Sequence, residues 1–153
     1  MPELDDTDRR IINILALDGR ASDVSLGEQI HLSSTAICRR RRNLEDSGII
    51  KDYSANLDMK ALGFGVKIFI SIELQSHADT MMGEFEGAIL QCPSVSFCAL
   101  VSGDTYLVAV NVRSIEDYDA IYRKELSALP HISRIESNIM LREVANRKAA
   151  PIA

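Results

Sequence analysis

The stretch Ser34–Ile50, STAICRRRRNLEDSGII, sets four consecutive arginines inside a segment with helical spacing. Successive helical residues point about 100° apart, so four in a row cannot share one partner. With Ile37 at the origin of the helical wheel, Leu44 falls at about 340°, and these two mark the inward face. Thr35, Arg39 and Arg42 then lie at about 160°, 200° and 140°, away from the core. Arg40 stands on the flank at about 300°, and Arg41, at about 40°, sits almost on the apolar stripe. Its long stem is expected to lie along the core while the guanidinium reaches out toward Glu45 or Asp46. On that reading Arg41→Val leaves folding intact and raises stability modestly.

Working outward, Ser33 caps this helix and Gly48 offers a left-handed stop after Ser47. Upstream, LDDTDRRIINILALDGR reads as a helix with Asp5 as N-cap, Ile11, Ile14, Leu15 and Leu17 on one repeat, and Gly19 as the stop. Between the two, SDVSLGEQI makes a short helix capped by Ser22 or Ser25, followed by the turn HLS. Helices this short bury too little alone and must pack as a trihelical unit. Downstream, IIKDYSANLD alternates enough to suggest a small β-wing packed through Ile49 and Tyr53.

An outward stripe of Thr and Arg, on a helix that follows a shorter helix and a tight turn, suits the major groove of DNA. Arginine grips guanine bidentately or pairs with phosphate, and Ser33 and Ser34 at the helix N-terminus can hold a phosphate. The candidate DNA contacts are Ser33, Ser34, Thr35, Arg39, Arg40 and Arg42, with Lys51 of the wing available to phosphate. A solvated charged face balanced by Glu45 and Asp46 is the plainer alternative. The chain carries a net charge of −5, and its first 60 residues hold 9 Lys or Arg against 11 Asp or Glu. Basic character is therefore confined to one helix, which is compatible with restricted DNA contact, because phosphate binding depends on the local cluster.

These segments, together with LVSGD, YLVAV and SRIESNIMLREV, resemble the leucine- and asparagine-responsive regulators, the Lrp/AsnC or feast/famine family. The likeness covers nearly the whole chain in the family's order. It implies an N-terminal winged helix-turn-helix, a C-terminal α+β effector domain, assembly as dimers and octamers, and transcriptional regulation in response to amino acids. It also implies an effector amino acid held near Ser102, Gly103, Asp104, Thr105 and Tyr106. Glycine and backbone amides can approach a carboxylate closely, and Asp104 can meet an ammonium, although any tight hairpin needs such a glycine. The hairpin is shorter than the family's usual form and lacks its extra Tyr-Asp step. Arg41 and His31 depart from the family as well, which favours an apolar residue and glycine at those positions.

The second half supports a ferredoxin-like βαββαβ order independently. VKIFISIEL alternates as a strand, and DTMMGEFEGAIL spaces Met81, Phe85, Ala88 and Ile89 for a helix. SVSFCALVSG and YLVAVNV form a hairpin. Ser114 opens a helix with Asp117 three residues on and Ile115, Tyr118, Ile121 and Tyr122 toward the sheet. ISRIESNIML ends the series, with Ile135, Ile139 and Leu141 alternating. The expected division is residues 1–55 as the winged module, 56–64 as linker, 65–148 as the effector and oligomerisation domain, and 149–153 as a tail. A sheet with helices on one face leaves the other to a partner, and Phe69, Phe97 or Leu100 exposed there would be costly. A homodimer through the sheet would set two recognition helices about 34 Å apart on a near-palindromic double-stranded operator.

Other function classes are weaker. No nucleophile with its base, paired carboxylates or phosphate loop suggests an enzyme. A metabolite-binding module acting on proteins would leave the arginine stripe without a role. The three cysteines show no C-x-x-C spacing and read as reduced space-fillers, with Cys38 at the edge of the recognition helix's buried face. The three histidines share no ligand spacing, so neither a metal nor another cofactor is expected. No apolar run is long enough to span a bilayer and the acidic start is unlike a secretory signal, which points to the cytoplasm.

Overall fold

Two hydrophobic clusters, one of helices and one built on a sheet, divide the chain. The computed structural model describes residues 4–146, so the expected tail at 149–153 lies outside them. Residues 4–56, with 144–146, form one unit, and Leu57–Glu143 form the other. The stretch read as a linker thus falls almost entirely within the second unit.

In the first unit, α1 (Asp6–Leu17), α2 (Asp23–Ile30) and α3 (Ser34–Asp46) enclose Ile11, Leu15, Leu26, Ile30, Ile37 and Leu44. Each helix starts on a side chain that accepts an otherwise unsatisfied amide: Asp5 from Asp8, Ser22 from Ser25, and Ser33 from Ala36. Two expectations fail at the end of α1. Leu17 is 78% exposed, because it lies about 240° around the helix from Ile11. Gly19 does not supply the stop; Asp18 is the C-cap, and its carboxylate accepts the Arg20 amide at 3.0 Å. Gly48 does take the left-handed position after α3, at φ +73°.

The β-wing does not form. Residues 49–65 contain no strand. Ile49 and Ile50 instead pack on the trihelical core, and the Ile50 amide donates to the Leu44 carbonyl at 3.0 Å. The Tyr53 hydroxyl donates to Glu45 Oε1 at 2.7 Å. Side chains tie this segment to the end of α3, so its weak alternation finds no second strand.

The second unit is the expected βαββαβ arrangement. Strands β1 (Val66–Leu74), β2 (Val95–Ser102), β3 (Thr105–Val112) and β4 (Ile132–Ile139) form one antiparallel sheet in the order β2-β3-β1-β4. Helix α4 (Asp79–Ile89) connects β1 to β2, and α5 (Ile115–Ile121), extended by a π-helical turn at Tyr122–Leu126, connects β3 to β4. One face of β1, Ile68, Ile70, Ile72 and Leu74, packs with Tyr106, Val108 and Val110 of β3 against Phe85, Ile89 and Leu126. The Phe85 and Tyr106 rings lie 4.6 Å apart.

Four side chains depart from expectation. Met82, not Met81, packs on this core. Ile115 is exposed at the start of α5, and Leu141 is exposed past the end of β4. Leu100 pairs with Tyr106 and so belongs to the helix-covered side, near its edge. Phe69, Ala109 and Phe97 form a row across the other face, where Phe97 is half-exposed.

Candidate nucleic-acid interface and effector loop

The turn before α3 depends on two residues. His31 adopts the left-handed conformation, φ 65° and ψ 45°. Gly27, buried in α2, permits the close approach of the next turn: a Cβ there would stand 2.5 Å from the Leu32 carbonyl oxygen. Sequence reasoning missed Gly27, although a glycine inside an otherwise helical pattern signals such an approach.

Helix α3 uses its arginines in two ways. Arg39 and Arg42 are exposed and make no ion pair or hydrogen bond among the described residues. With Ser34, Thr35 and Cys38 they line a shallow hollow of about 420 Å³ along the outer side of the helix. Their placement agrees with the helical wheel. Ser33 is exposed too, but its hydroxyl oxygen is engaged as the helix cap. Lys51 is exposed just past α3, on the irregular segment found where the wing was expected.

Arg40 and Arg41 are spent inside the unit. Arg40 Nη1 lies 2.8 Å from both Asp5 Oδ2 and Asp8 Oδ1, bridging α3 to the start of α1. The two carboxylates raise the Arg40 pKa, and Asp5 is held below its usual 3.8 by the Asp8 amide and then by Arg40. Arg40, expected as a DNA contact, is engaged as a brace within the unit, because the flank at about 300° faces the acidic first turn of α1.

Arg41 corrects a second expectation. Its guanidinium does leave the core, yet it reaches back to α2 and not forward to Glu45 or Asp46. Arg41 Nη2 donates to the Ala21 carbonyl, and Nε forms an ion pair with Asp23 Oδ1 at 3.1 Å outside hydrogen-bond geometry. The Tyr53 ring lies 6.0 Å from the guanidinium carbon.

In the second unit, Gly103 and Asp104 form a two-residue hairpin between the paired residues Ser102 and Thr105. Gly103 is at φ +51°, as a turn of this length requires. The Asp104 carbonyl accepts the Leu74 amide at 3.0 Å, which anchors the turn to the neighbouring strand. Ser102 and Gly103 are exposed, whereas Asp104 and Thr105 are half-buried. Tyr106 is separated from this group: its ring is buried in the core and its hydroxyl donates to Glu86 Oε1 at 2.7 Å. Burial and then the Glu86 contact push the Tyr106 pKa upward. Of the five expected effector residues, the structure brings four to one accessible turn.

Comparisons with known proteins agree with both units. Residues 4–45 match the AsnC-type helix-turn-helix domain, and residues 67–150 match the Lrp/AsnC ligand binding domain. The chain is 34% identical over 153 residues to the Bkd operon transcriptional regulator of Pseudomonas aeruginosa, covering 99% of this chain and 100% of that one. It is 33% identical over 143 residues to the leucine-responsive regulatory protein of Escherichia coli, covering 93% and 87% respectively. Among solved structures, a transcriptional regulator of Neisseria meningitidis in complex with L-Met superposes with a TM-score of 0.90 at 27% identity, covering 97% of each chain. An AsnC family regulator from Agrobacterium tumefaciens superposes with a TM-score of 0.88 at 29% identity, again covering 97% of each. With a helix-turn-helix whose outer stripe is unspent and a ligand-binding domain matched along its length, the chain belongs to the Lrp/AsnC family of DNA-binding transcriptional regulators.

Proposed function

We propose that α3 reads a near-palindromic double-stranded operator through Thr35, Arg39 and Arg42, and that an amino acid or related small metabolite at the Ser102–Thr105 hairpin modulates this binding. The observation that carries the reading is the division within the arginine run: Arg39 and Arg42 are exposed on the outer side with no ion pair among the described residues, while Arg40 and Arg41 hold the helix in place. Ser34 and the exposed amides at the start of α3, with Lys51, supply phosphate contacts. The working unit is a cytoplasmic homodimer, formed through the helix-free face bearing Phe69 and Phe97, with octamers as its higher assembly. That apolar row favours such pairing, and two-fold symmetry then matches the operator's. The L-Met complex of the Neisseria relative supports an amino-acid effector. Regulation proceeds by binding, with no catalytic step.

Selection of bound fragments from the host's genomic DNA tests the reading, using the native protein and an Arg39→Ala, Arg42→Ala double variant at near-physiological salt. The native protein is expected to enrich a near-palindromic site that the variant loses. If the two arginines contact phosphate, the salt dependence of residual binding falls by about two counterions. Equal enrichment by both proteins would remove α3 from the interface.

A further inference from the structure

A cleft of about 610 Å³ opens in the second unit, where β2 begins and β3 ends. The strand register places it at the opposite end of the sheet from the Gly103 hairpin: Val112 pairs with Val66, whereas Thr105 pairs with Glu73. Its walls are apolar at Met59, Phe64, Val112 and Ile121, and two cations, Arg113 and Lys124, line it as well. Neither cation has a carboxylate partner among the described residues. Arg113 lies over the Phe64 ring at 5.5 Å, while the neighbouring Glu125 accepts from the Ser94 hydroxyl at 2.7 Å and the Ser94 amide at 3.3 Å. Glu125 and Asp117 also line the cleft, but neither forms an ion pair with Arg113 or Lys124 among the described residues, so both cations keep donors for an incoming anion.

We propose that this cleft is a second small-molecule site, for a small organic carboxylate with an apolar tail. The carboxylate pairs with Arg113 and Lys124, and the tail lies between Phe64 and Ile121. Guanidinium matches a carboxylate bidentately, and a mostly apolar concavity with a few polar groups is the usual form of a metabolite site. Asp117, also at the cleft, gives a place for an ammonium, so an amino acid fits as well as a simple carboxylate. Met59 and Phe64 lie near the start of the second unit, so the cleft is built from that unit alone.

The test uses the full chain with methyl-labelled methionine, titrated with 3-phenylpropanoate, which carries no ammonium, and separately with L-phenylalanine. The Met59 methyl signal is the local reporter, and Met81 and Met82 on α4 serve as references. A saturable shift of Met59, weakened about tenfold or more by Arg113→Gln or Lys124→Gln and retained in Asp104→Asn, is expected. Response to both probes assigns the site to carboxylates at large; response to L-phenylalanine alone assigns it to zwitterions, with Asp117 as the ammonium partner. No saturable Met59 shift with either probe, or one indifferent to both cation variants, would overturn the proposal. The hairpin effector site would stand or fall separately, on the Asp104→Asn variant.

Discussion

Replacing Arg41 by valine separates the pattern seen on a helical wheel from the contacts found in the fold. On the wheel, valine restores an apolar stripe and should stabilise. In the structure, the substitution removes a charged donor from the carbonyl of buried Ala21 and strips Asp23 of its cation. A hydrogen bond from a charged group contributes about 1.5–3 kcal/mol. The Asp23 pair adds less, because Asp23 also sits in the first turn of α2, where the helix dipole already favours a carboxylate by about 0.3–1 kcal/mol. Against these losses stands about 1 kcal/mol from burying valine, offset in part by its poorer helix propensity of up to about 0.7 kcal/mol. The net expectation is a loss of about 1–3 kcal/mol. For a unit of this size that lowers its melting temperature by at least about 4 °C. Calorimetry of the native chain, Arg41→Val and Arg41→Lys provides the assay. Lysine keeps the charge but lacks the planar fork, so it should fall between the other two. An unchanged or raised melting temperature for Arg41→Val would refute the reasoning and restore the simple wheel.

Gly27→Ala should destabilise the first unit by more than the helix propensity it gains, about 1 kcal/mol, because its methyl meets a backbone oxygen that cannot turn aside. Thermal melts and operator binding should fall together. His31→Gly should stabilise by about 0.5–1 kcal/mol, since glycine holds φ near +65° without a side-chain penalty; chemical denaturation would show the shift in midpoint. Spectrophotometric titration should find Tyr53, Tyr106 and Tyr118 ionising late, with Tyr53 pushed up to about 12 by burial and its bond to Glu45. These raised folded-state values mean that the associated stability is complete below about pH 10, the unfolded tyrosine value, and is lost as pH rises through them. Normal ionisation of Tyr53 near pH 10 in the folded chain would contradict its placement beside Glu45.

Much of this architecture could be read from local signals. Caps at Asp5, Ser22, Ser33 and Ser114, the alternation of β1 and the left-handed Gly48 are each dictated by neighbours a few residues away. The outward direction of Arg39 and Arg42 follows from helical periodicity alone. What failed depended on distant partners. Arg40 finds Asp5 and Asp8 more than thirty residues earlier, and Arg41 finds Ala21 and Asp23 about twenty residues earlier. The missing wing is a failure of pairing: a strand needs a second strand, and alternation within one segment does not supply it. The resemblance implied Tyr106 as part of the effector loop, but strand period turns its side chain to the opposite face from Thr105 and into the core.

The two arginines that tie α3 to its neighbours also limit how this protein can acquire new operators. Positions 34, 35, 38, 39 and 42 line the outer hollow with Asp23 and Asn43, and none of the five belongs to the apolar core of the three helices. Positions 40 and 41 differ, because each completes an electrostatic contact on another helix or at its approach. A library that randomised all four arginines would mix changes on the outer side with changes that destabilise the three-helix unit. If α3 reads the operator as proposed, holding Arg40 and Arg41 fixed makes the same helix a scaffold for retargeting, with variation on one side and architecture on the other.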